Sequence, residues 1–180
     1  MKIFIAGARS VQKLDASVQQ RMMTICQKGY DVLVGDCYGV DASVQRFYSN
    51  LGYNNVTVFA SNGKARNNIG GWNIRNVAVP SYIHGFDFYK QKDIAMTNEA
   101  DYGFMIWDGE SRGTLNNTIN LIMQHKNVLM YLTTINRMLV IKTLNDLNKV
   151  ISLCTPKTQV TYSKLLNENG ISIISARTLV

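Results

Sequence analysis

Cysteine is scarce in this chain. Cys26, Cys37 and Cys154 are the only three in 180 residues, an odd number, widely spaced and without a CxxC pair. That excludes a disulfide framework and a cysteine zinc site, and makes a reducing cytoplasm the default expectation. Histidine is scarcer still. His84 and His125 have no partner in sequence for a metal site or a Cys-His nucleophile, so neither a metal nor a cofactor is expected. No apolar run approaches the roughly 20 residues of a membrane span. The opening MKIFIAG is followed at once by Ala8, Arg9 and Ser10, so neither a membrane segment nor a signal peptide is expected. Low-complexity segments and internal repeats are missing as well.

What is there is the composition of a globular protein. With 46% hydrophobic and 17% charged residues, the chain can bury enough surface to offset its ordering entropy. Its 180 residues make one main domain. The net charge of +7 is unevenly spread: residues 1–125 carry 12 basic and 10 acidic side chains, residues 126–180 carry 7 and 2. Without a contiguous basic run, this reads as a solvated basic tail region rather than a polyanion surface. Nucleic acid stays among the partners without being favoured.

Short β-branched or aromatic runs alternate with segments of helical period, the mark of βαβ units and a parallel sheet. The pattern predicts strands over 2–6, 31–35, 55–60, 102–107 and 127–132, and helices over 15–28, 42–51, 87–100 and 114–125. A strand over 138–142 and a short helix over 143–153 are expected to follow, while residues beyond 155 carry no clear pattern. Residues 61–84, rich in turn formers, read as a long loop with a short strand at 74–79. The expected class is α/β, a three-layer sandwich with a mainly parallel sheet of five to six strands.

Ligands of open parallel sheets bind beyond the carboxyl ends of the strands, where strand order reverses. Glycine and polar residues gather there in three turns: Gly7-Ala8-Arg9-Ser10, Gly35-Asp36-Cys37-Tyr38-Gly39-Val40-Asp41, and Asp108-Gly109-Glu110-Ser111-Arg112-Gly113-Thr114. Each leads into a helix, whose free N–H groups and positive dipole end suit a phosphate. Ser111 and Thr114 can cap that helix or donate to phosphate oxygens, and Arg9 and Arg112 offer bidentate contacts. G-x-G-x-x-G and G-x-x-x-x-G-K-[ST] are both absent, which excludes the dinucleotide fingerprint and the P-loop. The expected partner is a nucleotide or nucleotide-derived small molecule.

GARS after the first strand, GDCYGVDASVQ after the second, the RNNIGGW loop and KDIAMTNEADYGFMIWDGESRGT together resemble the SLOG superfamily and its YspA-like branch, over roughly residues 2–132. The resemblance implies a Rossmann-like fold that binds nucleotides or their derivatives, as sensor or carrier. Residues 1–150 would form that domain and 151–180 a C-terminal extension packed on it. Relatives include DprA DNA-processing proteins and LOG phosphoribohydrolases, and they commonly associate through helices, so a homodimer or higher homo-oligomer is expected. The LOG pattern P-G-G-x-G-T-x-x-E places its glutamate for glycosidic cleavage. Here Gly113-Thr114 is kept, but Asn117 stands at the glutamate position, and an amide is neither base nor nucleophile. Lys92, beside Asp93, loosely matches an upstream basic position of that pattern.

Hydrolysis or transfer of an N-glycosidic bond would therefore need another carboxylate, for which Asp41 and Asp108 are the candidates. An N-cap, a turn former or an acceptor for ribose hydroxyls is the alternative role for either. DNA binding in the DprA manner is a further alternative. In the loop Lys64-Ala65-Arg66-Asn67-Asn68-Ile69-Gly70-Gly71-Trp72, the indole either stacks on a base or anchors the loop on the core. In the first case Lys64 or Arg66 meets a phosphate, and Arg66, Asn67, Trp72 and Lys92 make up a lid.

Overall fold

A computed structural model describes residues 1–63 and 65–171. Its centre is a seven-stranded sheet of β1 (Lys2–Gly7), β2 (Asp31–Gly35), β3 (Val56–Ser61), β4 (Asn73–Val77), β5 (Tyr102–Trp107), β6 (Val128–Leu132) and β7 (Arg137–Ile141). The spatial order is β4-β3-β2-β1-β5-β6-β7, parallel throughout except for β7, which returns antiparallel to β6. The expectation of five to six strands is corrected to seven. The difference comes from β4, an edge strand inside the long glycine-rich loop. It corresponds to the short strand expected at 74–79, here Asn73–Val77, and its pairing with β3 adds it to the sheet although its residues are largely exposed.

The helices are α1 (Ala16–Gln27), α2 (Val40–Asn50), α3 (Gly85–Glu99), α4 (Arg112–Met123), α5 (Leu144–Ile151) and α6 (Pro156–Glu168). In α1, Asp15 caps the N-terminus and Val18, Met22 and Ile25 share one buried stripe at helical spacing. They pack with Val44 and Tyr48 of α2 on Ile3, Ile5, Val32 and Val58, one face of the sheet. Phe4, Leu33, Met105 and Val128 point to the other face, where residues of α3, α4, α5 and α6 cover them. The result is a three-layer α/β sandwich of Rossmann-like type. Among the described residues, no helix is long and apolar enough to cross a membrane.

The segment past 155, without a clear pattern in sequence, holds α6. Thr155 caps it and Pro156 opens it, and Tyr162, Leu165 and Leu166 join the core that contains Leu115 and Ile119 of α4. The strand order also fixes where the sheet opens. From β1 the chain steps outward through β2, β3 and β4, then crosses back to β5 on the other side of β1 and continues to β6 and β7. The reversal lies between β1 and β5, whose carboxyl ends open a crevice.

Candidate functional site

The crevice is a cavity of about 570 Å³, walled by the turns after β1, β2 and β5 and by the first half of α3. The turns are tied to one another. Ala8 N donates to Ile106 O at 3.0 Å, and Ser10 Oγ donates to Asp108 Oδ2 at 2.6 Å, so the β1 and β5 turns hold a fixed separation. Val40 N donates to Ala8 O at 3.3 Å and brings in the β2 turn. Gly39 makes that approach feasible. It sits at φ 75°, and a Cβ there would lie 2.5 Å from the Arg9 backbone.

The floor is polar and buried. Lys92, only 4% exposed, reaches in from α3 and donates from Nζ to Asp93 Oδ1 at 2.7 Å. Asp41, in the first turn of α2, accepts from Cys37 N at 3.1 Å. Gly35 shows how near the Asp41 and Lys92 head groups come: a Cβ on it would lie 2.4 Å from Asp41 Oδ2 and 2.8 Å from Lys92 Nζ. From α4, Asn117 Nδ2 donates to Asp93 Oδ2 at 3.3 Å. Burial pushes the Asp41 carboxyl up to about 6, with the Lys92 charge working against that rise and the Asp93 charge adding to it. For Lys92 burial is again the largest influence and disfavours the ammonium, but Asp93 and Asp41 outweigh it and hold the pKa above its ordinary value.

Above the floor, Arg66 grips Asp36 at two points, Nε to Oδ2 at 3.0 Å and Nη2 to Oδ1 at 2.7 Å, while its own backbone N–H also donates to Oδ2 at 3.1 Å. Burial would raise the Asp36 carboxyl, and these three bonds overcome it to hold the group below its usual range. The mouth is cationic and aromatic. The guanidinium carbons of Arg66 and Arg9 lie 4.9 Å and 5.6 Å from the centroid of the Tyr89 ring, and that of Arg112 lies 4.1 Å from the Phe86 centroid. Arg112 also pairs with both carboxylate oxygens of Glu168 at 2.8 Å.

The turn after β5 shapes the start of α4. Asp108 accepts from Ser10 Oγ, from Ser111 N at 2.7 Å and from Glu110 N at 3.0 Å, and these bonds lower its carboxyl against the opposing effect of burial. Ser111 caps α4, accepting from Thr114 N at 3.4 Å. The N–H groups of Arg112 and Gly113 open the helix, so they have no acceptor within it. A Cβ on Gly113 would meet nothing within 4 Å, so this helix start faces open space.

Of the residues singled out in sequence, Gly7, Arg9, Ser10 and Asp41 line the cavity from the first two turns, and Asp108, Ser111, Arg112, Gly113 and Thr114 from the third. Arg66 and Lys92 line it too, but Lys92 belongs to the floor and not to a lid, because three carboxylates draw its ammonium inward. Ala8, Gly35, Asp36, Gly39, Val40 and Gly109 are buried behind the lining and hold the turns together. Tyr38 is 68% exposed and lies outside the cavity wall. Trp72 is an anchor: its buried indole packs in the α1–α2 core and donates to Tyr53 O at 2.8 Å. Asn67 fastens the same loop by donating to Asp36 O at 2.9 Å. Lys64 lies outside the described residues.

Phe86, Tyr89 and Lys90 of α3 line the cavity without having been singled out. Asn117, the amide that stands in place of the glutamate, and Asp93, one of the carboxylates expected near the ligand edge, line it as well. Among the described residues, no group of three or more His, Cys, Asp or Glu side chains is placed to hold a metal.

A mainly parallel sheet with a polar crevice where its strand order reverses defines a Rossmann-like domain. No protein-family model matches the chain, and no curated protein matches it. Among solved structures it is similar to DNA processing protein A from Helicobacter pylori, in a structure that describes that protein's single-stranded DNA binding mode. The TM-score is 0.56, with 14% sequence identity over 93% of this chain and 81% of the other. At that identity the likeness establishes the fold.

Proposed function

We propose that the cavity binds a nucleotide or nucleotide-derived small molecule, as a sensor or carrier site, with a phosphate at the start of α4. One observation carries this reading. A single enclosure of about 570 Å³ presents free helix N–H groups and the Arg112 guanidinium at one side and a buried polar floor at the other. An elongated ligand with one anionic end and one neutral polar part complements it. The resemblance to the SLOG superfamily and its YspA-like branch supports the same ligand class.

The test is a thermal-shift and calorimetric screen of nucleoside mono-, di- and triphosphates, cyclic nucleotides and ADP-ribose, with chromatography of each sample after incubation. Binding at 100 times Kd should stabilise the fold by about 2.7 kcal/mol. Gly113→Asp should fold normally, since its side chain enters open space, yet lose the ligand because a carboxylate now occupies the anion site. No stabilising compound in the whole set would overturn the reading. Free base in the chromatogram, abolished by Asp41→Asn, would make the domain an N-glycosidic hydrolase or transferase. Asp41 suits that role better than Asp108, whose two oxygens already accept three hydrogen bonds.

A second reading is single-stranded nucleic acid lying across the mouth. It is favoured by the exposed rings of Tyr38, Tyr82 and Tyr89 at the same sheet edge as Arg9 and Arg66, and by the structural likeness to a protein whose single-stranded DNA binding has been described. Fluorescence anisotropy with labelled oligo-dT checks it. Affinity that falls steeply with salt supports strand binding, and its absence at low salt sinks it.

A further inference from the structure

We infer that the floor of the cavity is a ribose site, so that the ligand is a ribonucleotide in preference to its 2′-deoxy counterpart; this deepens the nucleotide reading and rests on it. The starting point is an unpaired atom. Asn117 is 3% exposed and lines the cavity, and its Oδ1 is buried without a hydrogen-bond partner. The orientation of this amide is set by its neighbour. A carboxylate only accepts, so the NH2 must face Asp93 Oδ2, 3.3 Å away, and the carbonyl oxygen must face elsewhere. A buried acceptor left unpaired is costly, and its presence beside an open cavity points to a donor that arrives with the ligand.

The surroundings say which donor. Asp41 offers a second acceptor whose described bond comes from Cys37 N alone. Lys92 offers an ammonium with three N–H groups, one of them directed to Asp93. Asp41 and Lys92 meet over Gly35, where no Cβ intervenes. Two acceptors and a cationic donor within one buried patch match a vicinal diol, in which each hydroxyl gives one hydrogen and accepts another. A phosphate is repelled from the same patch by Asp41 and Asp93. A base stacks better at the mouth, where Phe86 and Tyr89 supply the rings of the cavity.

Position along α4 narrows the choice to the sugar. Asn117 lies about one helical turn, roughly 5.4 Å, beyond Gly113. In a nucleotide the sugar is attached directly to the phosphate and the base lies past it. A phosphate on the first turn of α4 therefore brings ribose hydroxyls to Asn117 and Asp41 and sends the base towards Tyr89 and Arg66.

The deciding experiment is calorimetry on the full chain with the adenine, guanine, cytosine and uracil ribonucleoside mono- and triphosphates, each against its 2′-deoxy counterpart. It is run on the wild type and on Asn117→Leu, with thermal melting to confirm that the variant is folded. At least one ribonucleotide should bind about tenfold or more tightly than its deoxy form, as expected for loss of a hydrogen bond to charged or buried groups. Asn117→Leu should bring the two within about twofold. Equal affinities in the wild type would overturn the ribose floor and leave the nucleotide reading standing, whereas no binding by any compound would overturn both. A preference for ribose that survives intact in a folded Asn117→Leu protein would overturn the part assigned to Asn117. Should that variant not fold, the comparison in the wild type decides alone.

Discussion

The floor and the mouth of the cavity contain the same kinds of group, cations facing carboxylates, yet they obey different physics. On the floor, Lys92 is 6% exposed at its side chain and pairs with Asp93 at 19%, whereas at the mouth Arg112 and Glu168 are 45% and 42% exposed. A charge removed from the floor leaves its partners stranded in a poorly solvated place. At the mouth, water and salt replace a lost partner at little cost. Stability should therefore reside in the floor, and adjustable affinity in the mouth.

The largest effect is expected from Lys92→Met, which fills the same space but leaves Asp41 and Asp93 without their shared cation. Removing one partner from a buried ion pair costs about 3–5 kcal/mol, to be read from urea denaturation at neutral pH. The loss should shrink at lower pH, where the stranded carboxylates are protonated. A loss below about 1 kcal/mol would mean that the floor is as well solvated as the mouth.

Asp41→Asn sharpens the comparison through its pH dependence. Because burial raises the folded carboxyl to about 6 from an ordinary 3.8, the folded state binds that proton more tightly than the unfolded chain. The contribution to stability is thus fully present below about 3.8 and is lost as pH rises through about 6. An amide does not titrate. The stability of Asp41→Asn relative to the wild type should improve by up to about 3 kcal/mol between pH 4 and pH 7, two pKa units at roughly 1.4 kcal/mol each, and stay level above that. A difference that does not change with pH would place Asp41 in contact with water.

Arg66→Ala probes the layer between the two regions, since Asp36 is buried while the Arg66 side chain is 31% exposed. Losing a charged, two-point grip on a buried carboxylate should cost about 2 kcal/mol. Asp36 should also become easier to protonate, because the bonds that lower its pKa come from Arg66. Its wild-type contribution is present above about 3.8 and lost as pH falls, the reverse of Asp41, and acid denaturation of the two variants should show the opposite signs.

The same division decides what could be read from sequence. The β1, β2 and β5 turns were legible because glycines at strand ends and helix starts are local signals, and the strand runs DVLVG and YGFMIW carry their own boundaries. The floor was only half legible. A lysine within a helix reads as a solvent-facing group, and only the packing of α3 against the β2 turn turns Lys92 inward towards Asp41. Phe86 and Tyr89 were hidden because α3 has a weak apolar stripe: Lys92, Met96 and Thr97 are its buried residues, so one face meets the cavity and another the core. Trp72 was ambiguous because its role depends on reaching Tyr53, 19 positions away. For α6, Thr155 and Pro156 were a usable start signal, but the buried Tyr162, Leu165 and Leu166 are too few for periodicity to declare a helix by itself.

The smallest change in stability should come from Glu168→Gln, and it tests the mouth most directly. Glu168 at the end of α6 accepts from Arg112 Nη2 through both oxygens, so a carboxylate of the protein now holds the guanidinium that stands beside the free N–H groups of α4. The pair is exposed, and breaking it should cost less than about 1 kcal/mol. An anion arriving at α4 must compete with Glu168 for Arg112, and it also feels the negative charge of Glu168 itself. Neutralising Glu168 removes both penalties, so affinity for AMP or inorganic phosphate, measured calorimetrically at low salt, should rise several-fold while the melting temperature barely moves. The gain should fade as salt screens the interaction. Unchanged affinity would show that Arg112 does not take part in binding the anion, and a large loss of stability would show that the mouth, like the floor, is held together by its charges.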